Sequence, residues 1–271
     1  MLAGTAMDYR VRAYFERNIH RARAVVRGLT LLSSLVNLEK HVETWTEVTE
    51  NPWYHGRKKH IADRFVESFE AFISTAAPER RQLLAAEEEK LCRYCVVFAY
   101  LDFIGRAPGR NSAIEIMVQL GRPDIDDMLR YLDERVVADL VHLSGRFYEQ
   151  QGLLLSTFAH AVTGGTLAGS ADIGGADFDL VVDGCLIDLK VSVKRNITTA
   201  YLRQLVGYWL LDYEDSLSIR SVAILLLRHG HTHRFEMAEL LPPGGTAPEL
   251  RRAFREGLEQ DAAAAGGRRE A

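Results

Sequence analysis

Asp177-Phe178-Asp179-Leu180-Val181-Val182-Asp183-Gly184-Cys185-Leu186-Ile187-Asp188-Leu189-Lys190 is the stretch from which the rest of the chain can be read. Two strand-like runs flank Asp183-Gly184, the pair that most favours a two-residue type I′ hairpin turn. Such a turn fixes the register. Counting outward, Val182 faces Cys185, Val181 faces Leu186, Leu180 faces Ile187, Asp179 faces Asp188 and Asp177 faces Lys190. Side chains alternate along each strand, so Asp177, Asp179, Asp188 and Lys190 are expected on one face. Leu180, Val182, Cys185, Ile187 and Leu189 are expected on the other, as pure core.

Two like charges opposite each other in a hairpin, with β-carbons about 5 Å apart, destabilise it unless something neutralises them. A divalent cation would do so. Mg²⁺, with Mn²⁺ as its substitute, takes hard oxygen ligands, commonly one or two carboxylates plus water and phosphate oxygens, and this suits Asp179 and Asp188 better than zinc would. Lys190, two residues along the same face, could lower the pKa of a water held there or stabilise charge developing on an attacked phosphate. This is the outline of phosphodiester hydrolysis.

Outward from the hairpin, Thr198-Thr199 read as a helix cap, followed by a stripe of Tyr201, Leu202, Leu205, Tyr208, Trp209 and Leu211 that ends near Tyr213. Ser221 to Leu227 is a continuous apolar run, as a strand buried on both faces should be. Before the hairpin, Val162 to Ala176 is rich in Gly, Ser and Thr, and marks a boundary between helix and sheet. From Tyr9 to about Gln151 the apolar spacing is helical. Breaks are expected at Asn51-Pro52 and Arg106 to Arg110, and a helix with Pro78 in its first turn. A further helix is expected from Asp124 to about Gln151, with an interruption near Ser144-Gly145. It carries Glu134, Asp139, His142 and Glu149. The fold class is α/β, more narrowly α+β: a helical region over 1–123, a sheet-bearing core over 124–245, and over 246–271 a charged helix (Pro248 to Glu259) with a disordered tail.

Composition narrows the partners. A chain of 271 residues, 47% hydrophobic, can bury a full core, and no apolar run approaches the roughly 20 residues of a membrane span. Asp8, Arg10 and Arg12 interrupt any signal-peptide core, and three cysteines do not build a disulfide framework, so a cytoplasmic location is expected. With a net charge of −4, a nucleic-acid partner must be held by a local patch. Cys92 and Cys95 have zinc-like spacing but lie in a helical apolar stripe, and read as core. His229-Gly230-His231-Thr232-His233 reads as a turn. Arg57-Lys58-Lys59-His60, beside Trp53 and Tyr54, reads as a solvated helix start or a phosphate contact. Gly164-Gly165 and Gly174-Gly175 lack the Gly-Lys-Ser/Thr of a P-loop and read as connections, with Gly174-Gly175 placed to admit a strand close to the site.

Asp179, Leu180-Val181, the short hairpin and Asp188-Leu189-Lys190 resemble the D…(D/E)xK signature of the PD-(D/E)XK, or restriction-endonuclease-like, nuclease superfamily. Gln204-Leu205-Val206-Gly207-Tyr208 resembles the QxxxY element of RecB-type exonuclease domains, with Gln204 and Tyr208 on one helical face. The resemblance spans roughly Glu149 to Leu227. It implies a mixed sheet flanked by helices and metal-dependent cleavage of DNA, with RNA left open. It also implies that Asp179, Asp188, the Leu189 carbonyl and an acidic residue of the preceding helix bind the metal, that Lys190 is catalytic, and that Gln204 and Tyr208 orient substrate or lysine. Glu149 is the candidate for the helical ligand, with Glu134 and Asp139 as replacements. Phe178 stands where the signature has Pro, and Val191 where RecB-type domains often have Thr. Double-strand cleavage would imply a homodimer. The alternative is a nuclease-fold protein that has lost catalysis and binds nucleic acid or protein.

Overall fold

Helical spacing in the first half and strand spacing in the second produce two compact units, Met1–Gly152 and Leu153–Ala271. The computed structural model describes residues 2–38, 61–107, 116, 120, 124–242 and 244–267. The break at Asn51-Pro52, the basic run 57–60 with Trp53 and Tyr54, and the loop residues 108–110 and 121–123 lie outside the described residues.

The first unit contains α1 (Leu2–Arg12), α2 (Arg23–Leu38), α3 (Ile61–Ala76), α4 (Ala85–Arg106), α5 (Ile125–Arg130) and most of α6 (Glu134–Thr157). α4 is buried nearly all round, Cys92 and Cys95 included. Gly28 of α2 and Gly105 of α4 lie against the other helix's backbone, at Leu101 and Ala24, so closely that a Cβ on either would collide. The fully buried Arg10 donates two hydrogen bonds to Glu88, at 2.6 and 2.7 Å. Burial works against the Glu88 carboxylate, yet those bonds hold its pKa below the usual value.

Two expectations for this unit change. Pro78 lies in the turn after α3, where Ala77 and Arg80 have positive φ, and the next helix begins only at Ala85. The helix expected from Asp124 to Gln151 breaks at 131–133 and runs unbroken through Ser144-Gly145 to Thr157. Asp133 sets the break, its carboxylate accepting the Arg135 backbone N–H at 2.9 Å in the manner of an N-cap.

The second unit is a mixed five-stranded sheet in the order β1-β2-β3-β4-β5: β1 (Ala161–Thr163), β2 (Leu180–Val182), β3 (Cys185–Lys190), β4 (Ser221–Leu226) and β5 (His231–Glu236). β3 and β4 are parallel and the other pairs antiparallel. Parallel neighbours need a crossover, and α7 (Thr199–Leu211) supplies it. Thr198 caps α7 through its side chain, as the sequence predicts. The short α8 (Met237–Leu240) follows β5. α9 (Ala247–Gly267) packs on α7, with Arg251 Nε donating to the Trp209 carbonyl at 3.2 Å. α9 outruns the expected Pro248 to Glu259 because an alanine run of high helix propensity continues it.

The hairpin has the expected register, Leu180↔Ile187, Val181↔Leu186 and Val182↔Cys185. Asp183 (φ 48°) and Gly184 (φ 77°) are both left-handed, as a type I′ turn requires. The Asp183 carboxylate also accepts from the backbone N–H of His160 at 2.8 Å, tying the turn to the entry of β1. All six residues of β4 are buried. The expectation of a single core face is corrected: Val181 and Leu186, on the face of Asp188, are buried with Leu205, Trp209, Ile224 and Leu226 beneath α7. Both faces of β3 are therefore covered, as befits a strand with a parallel neighbour.

Candidate active site

β3 carries Asp188 and Lys190 at i and i+2, so they share a face, and α7 returns over that face with Tyr201, Gln204 and Tyr208. Lys190 Nζ donates to Asp188 Oδ1 at 2.9 Å and lies 2.7 Å from Oδ2. The approach to Oδ2 does not have hydrogen-bond geometry, and that oxygen is a buried acceptor without a hydrogen-bond partner. Lys190 also donates to Gln204 Oε1 at 3.2 Å, and Gln204 Nε2 donates to the Tyr208 hydroxyl at 2.9 Å. The ammonium sits 4.9 Å from the Tyr201 ring centroid. Asp188, Lys190, Gln204 and Tyr208 thus form one chain of polar contacts, reaching from a residue 3% exposed out to an exposed glutamine.

Asp179 approaches from the neighbouring strand. It lies just before β2, and its Oδ2 accepts the Leu189 backbone N–H at 2.9 Å while its own carbonyl accepts from Gly164. This carries the chain away from β3. Asp177 consequently does not face Lys190: the β2–β3 ladder stops at Leu180, and Asp177 bridges to Thr166 instead.

The electrostatics follow from burial and neighbours. Desolvation pushes the Asp188 carboxyl up to about 6, and the Asp179 charge adds to that; Lys190 opposes both without cancelling them. Burial draws the Lys190 ammonium down, but Asp188 and Asp179 outweigh it and the net shift is upward. Lys190 therefore keeps its proton at neutral pH, which suits electrostatic stabilisation and not proton abstraction. Burial also raises the Tyr208 phenol, so its hydroxyl stays protonated and can donate.

Of the residues singled out in the sequence, Asp179, Asp188, Leu189, Lys190, Gln204 and Tyr208 fall together in the second unit. Glu149 is exposed on α6 in the first unit; Glu134 there pairs with Arg93 at 2.7 Å. Among the described residues no group of three or more His, Cys, Asp and Glu side chains converges to hold a metal ion. Tyr201 is a site residue that the sequence reading treated as part of an apolar stripe; its signal was its place one helical turn before Gln204. Gly174 and Gly175 have positive φ, but open space surrounds the position of a Cβ on either, so no close approach of a strand explains them. The close approach falls instead at Gly165, where a Cβ would meet the Phe178 ring at 2.7 Å. His229 ends a short 3-10 turn, Gly230 completes the reversal with left-handed φ, and His231 and His233 already belong to β5. No protein-family model matches this chain, and neither the curated proteins nor the solved structures yield a match.

Proposed function

We propose that the chain is a metal-dependent nuclease that hydrolyses phosphodiester bonds in DNA, on a core of the PD-(D/E)XK type. The observation that carries this reading is the Asp188–Lys190–Gln204–Tyr208 chain, with Asp179 beside it and Asp188 Oδ2 buried without a hydrogen-bond partner. The order of hairpin, crossover helix and parallel strand also agrees with the resemblance.

The donor set fits a hard divalent cation. Asp179 and Asp188 are oxygen donors whose mutual repulsion a cation would relieve, and Mg²⁺ commonly takes only one or two carboxylates. Asp179 and Asp188 would hold it, with the Leu189 carbonyl as the resemblance implies. Mg²⁺ or Mn²⁺ bound there supplies Lewis acidity toward a phosphoryl oxygen. The protonated Lys190 sets positive charge where negative charge grows on the attacked phosphate, as preorganised donors do at developing oxyanions. Gln204 fixes the ammonium through Oε1, and Tyr208 fixes Gln204. The apolar packing of Val181, Leu186, Leu205 and Trp209 on the same face excludes water from one side and strengthens these interactions.

Cleavage of DNA in Mg²⁺ or Mn²⁺, abolished by EDTA and by Lys190→Ala, tests the reading. A second reading, a binding module without catalysis, draws on the ion pair already formed between Lys190 and Asp188. DNA binding that persists in EDTA, together with no thermal shift in Mg²⁺ or Mn²⁺, would favour it. One metal site per chain cuts one strand, so double-strand cleavage would require two copies.

A further inference from the structure

From Leu189 to Leu211 and from Ser216 to Phe235 the chain carries no Asp or Glu, although its net charge is −4. These stretches hold the crossover helix α7, β4 and all of β5 but its last residue. β3 and β4 are parallel, so they end side by side, with Lys190 opposite Leu226. The connection 191–198 leaves from Lys190 and returns at Thr198, the cap of the helix that carries Gln204 and Tyr208. Lys194 and Arg195 stand on it, both exposed and without an acidic partner among the described residues, next to Val193, which is 78% exposed. Arg228, in the 3-10 turn that follows β4, ties the connection down by donating to the Val191 carbonyl at 2.9 Å. In the next strand His231 is opposite Leu226, and His233 is opposite Ile224, itself opposite Asp188. Paired residues point to the same side, so both exposed histidines extend the face of Asp188 and Lys190 by two strand spacings, about 10 Å.

Within these two stretches no acidic side chain stands among the Lys, Arg and His residues, and Asp179 and Asp188, the pair that suits a cation, lie beside Lys190. Lys190, Lys194, Arg195, Arg228, His231 and His233 form a basic rim on one side of them.

We propose that this rim is a track for a polynucleotide backbone, in which Lys194 and Arg195 grip the phosphates adjoining the one that reaches Asp188 and Lys190. The proposal rests on the nuclease reading of that site. A strand carries a phosphate about every 3.4 Å along a duplex, so a connection of this length meets neighbouring phosphates, not distant ones. Phosphate contacts of this kind position a strand without reading its bases.

The test is a fluorescence anisotropy titration with a labelled single strand and with the duplex of the same sequence, in an Asp188→Asn background that blocks cleavage. Two lost phosphate contacts predict binding roughly 50-fold weaker at about 0.1 M salt for Lys194→Ala/Arg195→Ala, and a slope of log affinity against log salt shallower by about 2. Arg220→Ala/Arg252→Ala removes equal charge from the opposite end of β4 and from α9, and should leave both quantities nearly unchanged. Equal weakening by the two pairs overturns the track. Unchanged binding in Lys194→Ala/Arg195→Ala, beside intact metal-dependent cleavage by the unmutated protein, overturns the track alone. A background protein that binds neither strand nor duplex overturns the track, and absent cleavage by the unmutated protein in Mg²⁺ or Mn²⁺ overturns the nuclease reading with it.

Discussion

Lys190 meets Asp188 through both carboxylate oxygens but makes a hydrogen bond to only one of them, at 2.9 Å to Oδ1. The other oxygen is buried without a hydrogen-bond partner. Burial, with the repulsion from Asp179 added, outweighs the ammonium and leaves Asp188 short of compensation in its charged form, and the expected behaviour of the site follows from that deficit.

Asp188→Asn should gain stability relative to the unmodified, metal-free protein as pH rises toward neutrality. The folded-state pKa of about 6 exceeds the unfolded value of about 3.9, so the folded state binds more protons between them. Stability from this group is full below the unfolded pKa and is lost as pH rises through the folded pKa. Urea denaturation should show the variant gaining on the unmodified protein by roughly 1 to 2 kcal/mol between about pH 5 and pH 7.5. A variant that loses ground over that range would contradict the burial argument.

Mg²⁺ or Mn²⁺ should raise the melting temperature of the unmodified protein in a concentration-dependent way. The stabilisation is about 2.7 kcal/mol at a hundredfold excess over the dissociation constant. Neither Asp188→Asn nor Asp179→Asn should retain the full shift. Equal shifts in all three proteins would move the cation elsewhere.

Gln204→Ala and Tyr208→Phe should separate positioning from metal binding. Gln204→Ala removes a hydrogen-bond acceptor of the Lys190 ammonium and Tyr208→Phe removes the acceptor that fixes Gln204, so kcat should fall about 10- to 100-fold while the cation-induced thermal shift stays intact. Loss of the shift together with the rate would mean that these side chains hold the cation site itself.

Gly184→Ala should destabilise the protein by about 1 to 2 kcal/mol, because φ of 77° is left-handed and an added Cβ would lie 2.9 Å from the Ser218 carbonyl oxygen. Chemical denaturation measures this directly. A neutral substitution would show that the turn relaxes freely.

The hairpin was legible from residues 177–190 alone, because Asp-Gly dictates a turn and a period of two then fixes every pair. The burial of Asp188 was not legible there. It arises from β4 alongside and α7 above, both more than ten residues away in sequence, and alternation within one hairpin says nothing about a second covering layer. β5 escaped notice for a related reason: an exposed edge strand of His, Thr, His and Arg has no hydrophobic pattern, and its hydrogen bonds to β4 alone make it a strand. The Gln204–Tyr208 contact could be foreseen from their spacing on α7, whereas their reach to Lys190 depends on where the crossover lays the helix. The helix break at 131–133 had its own local signal in Asp133, which the longer apolar rhythm obscured.

Metal-dependent cleavage by the Asp188–Lys190 site is tested by incubating the purified protein with linear and circular DNA in Mg²⁺, Mn²⁺ or EDTA, beside Lys190→Ala. Removing a charge that acts only as the reaction proceeds should lower the rate about 100- to 1000-fold. Cleavage is expected in either metal and none in EDTA, with that loss of rate in a variant which still melts cooperatively. Cleavage undiminished in Lys190→Ala, or no cleavage of any substrate by the folded unmodified protein, would contradict it.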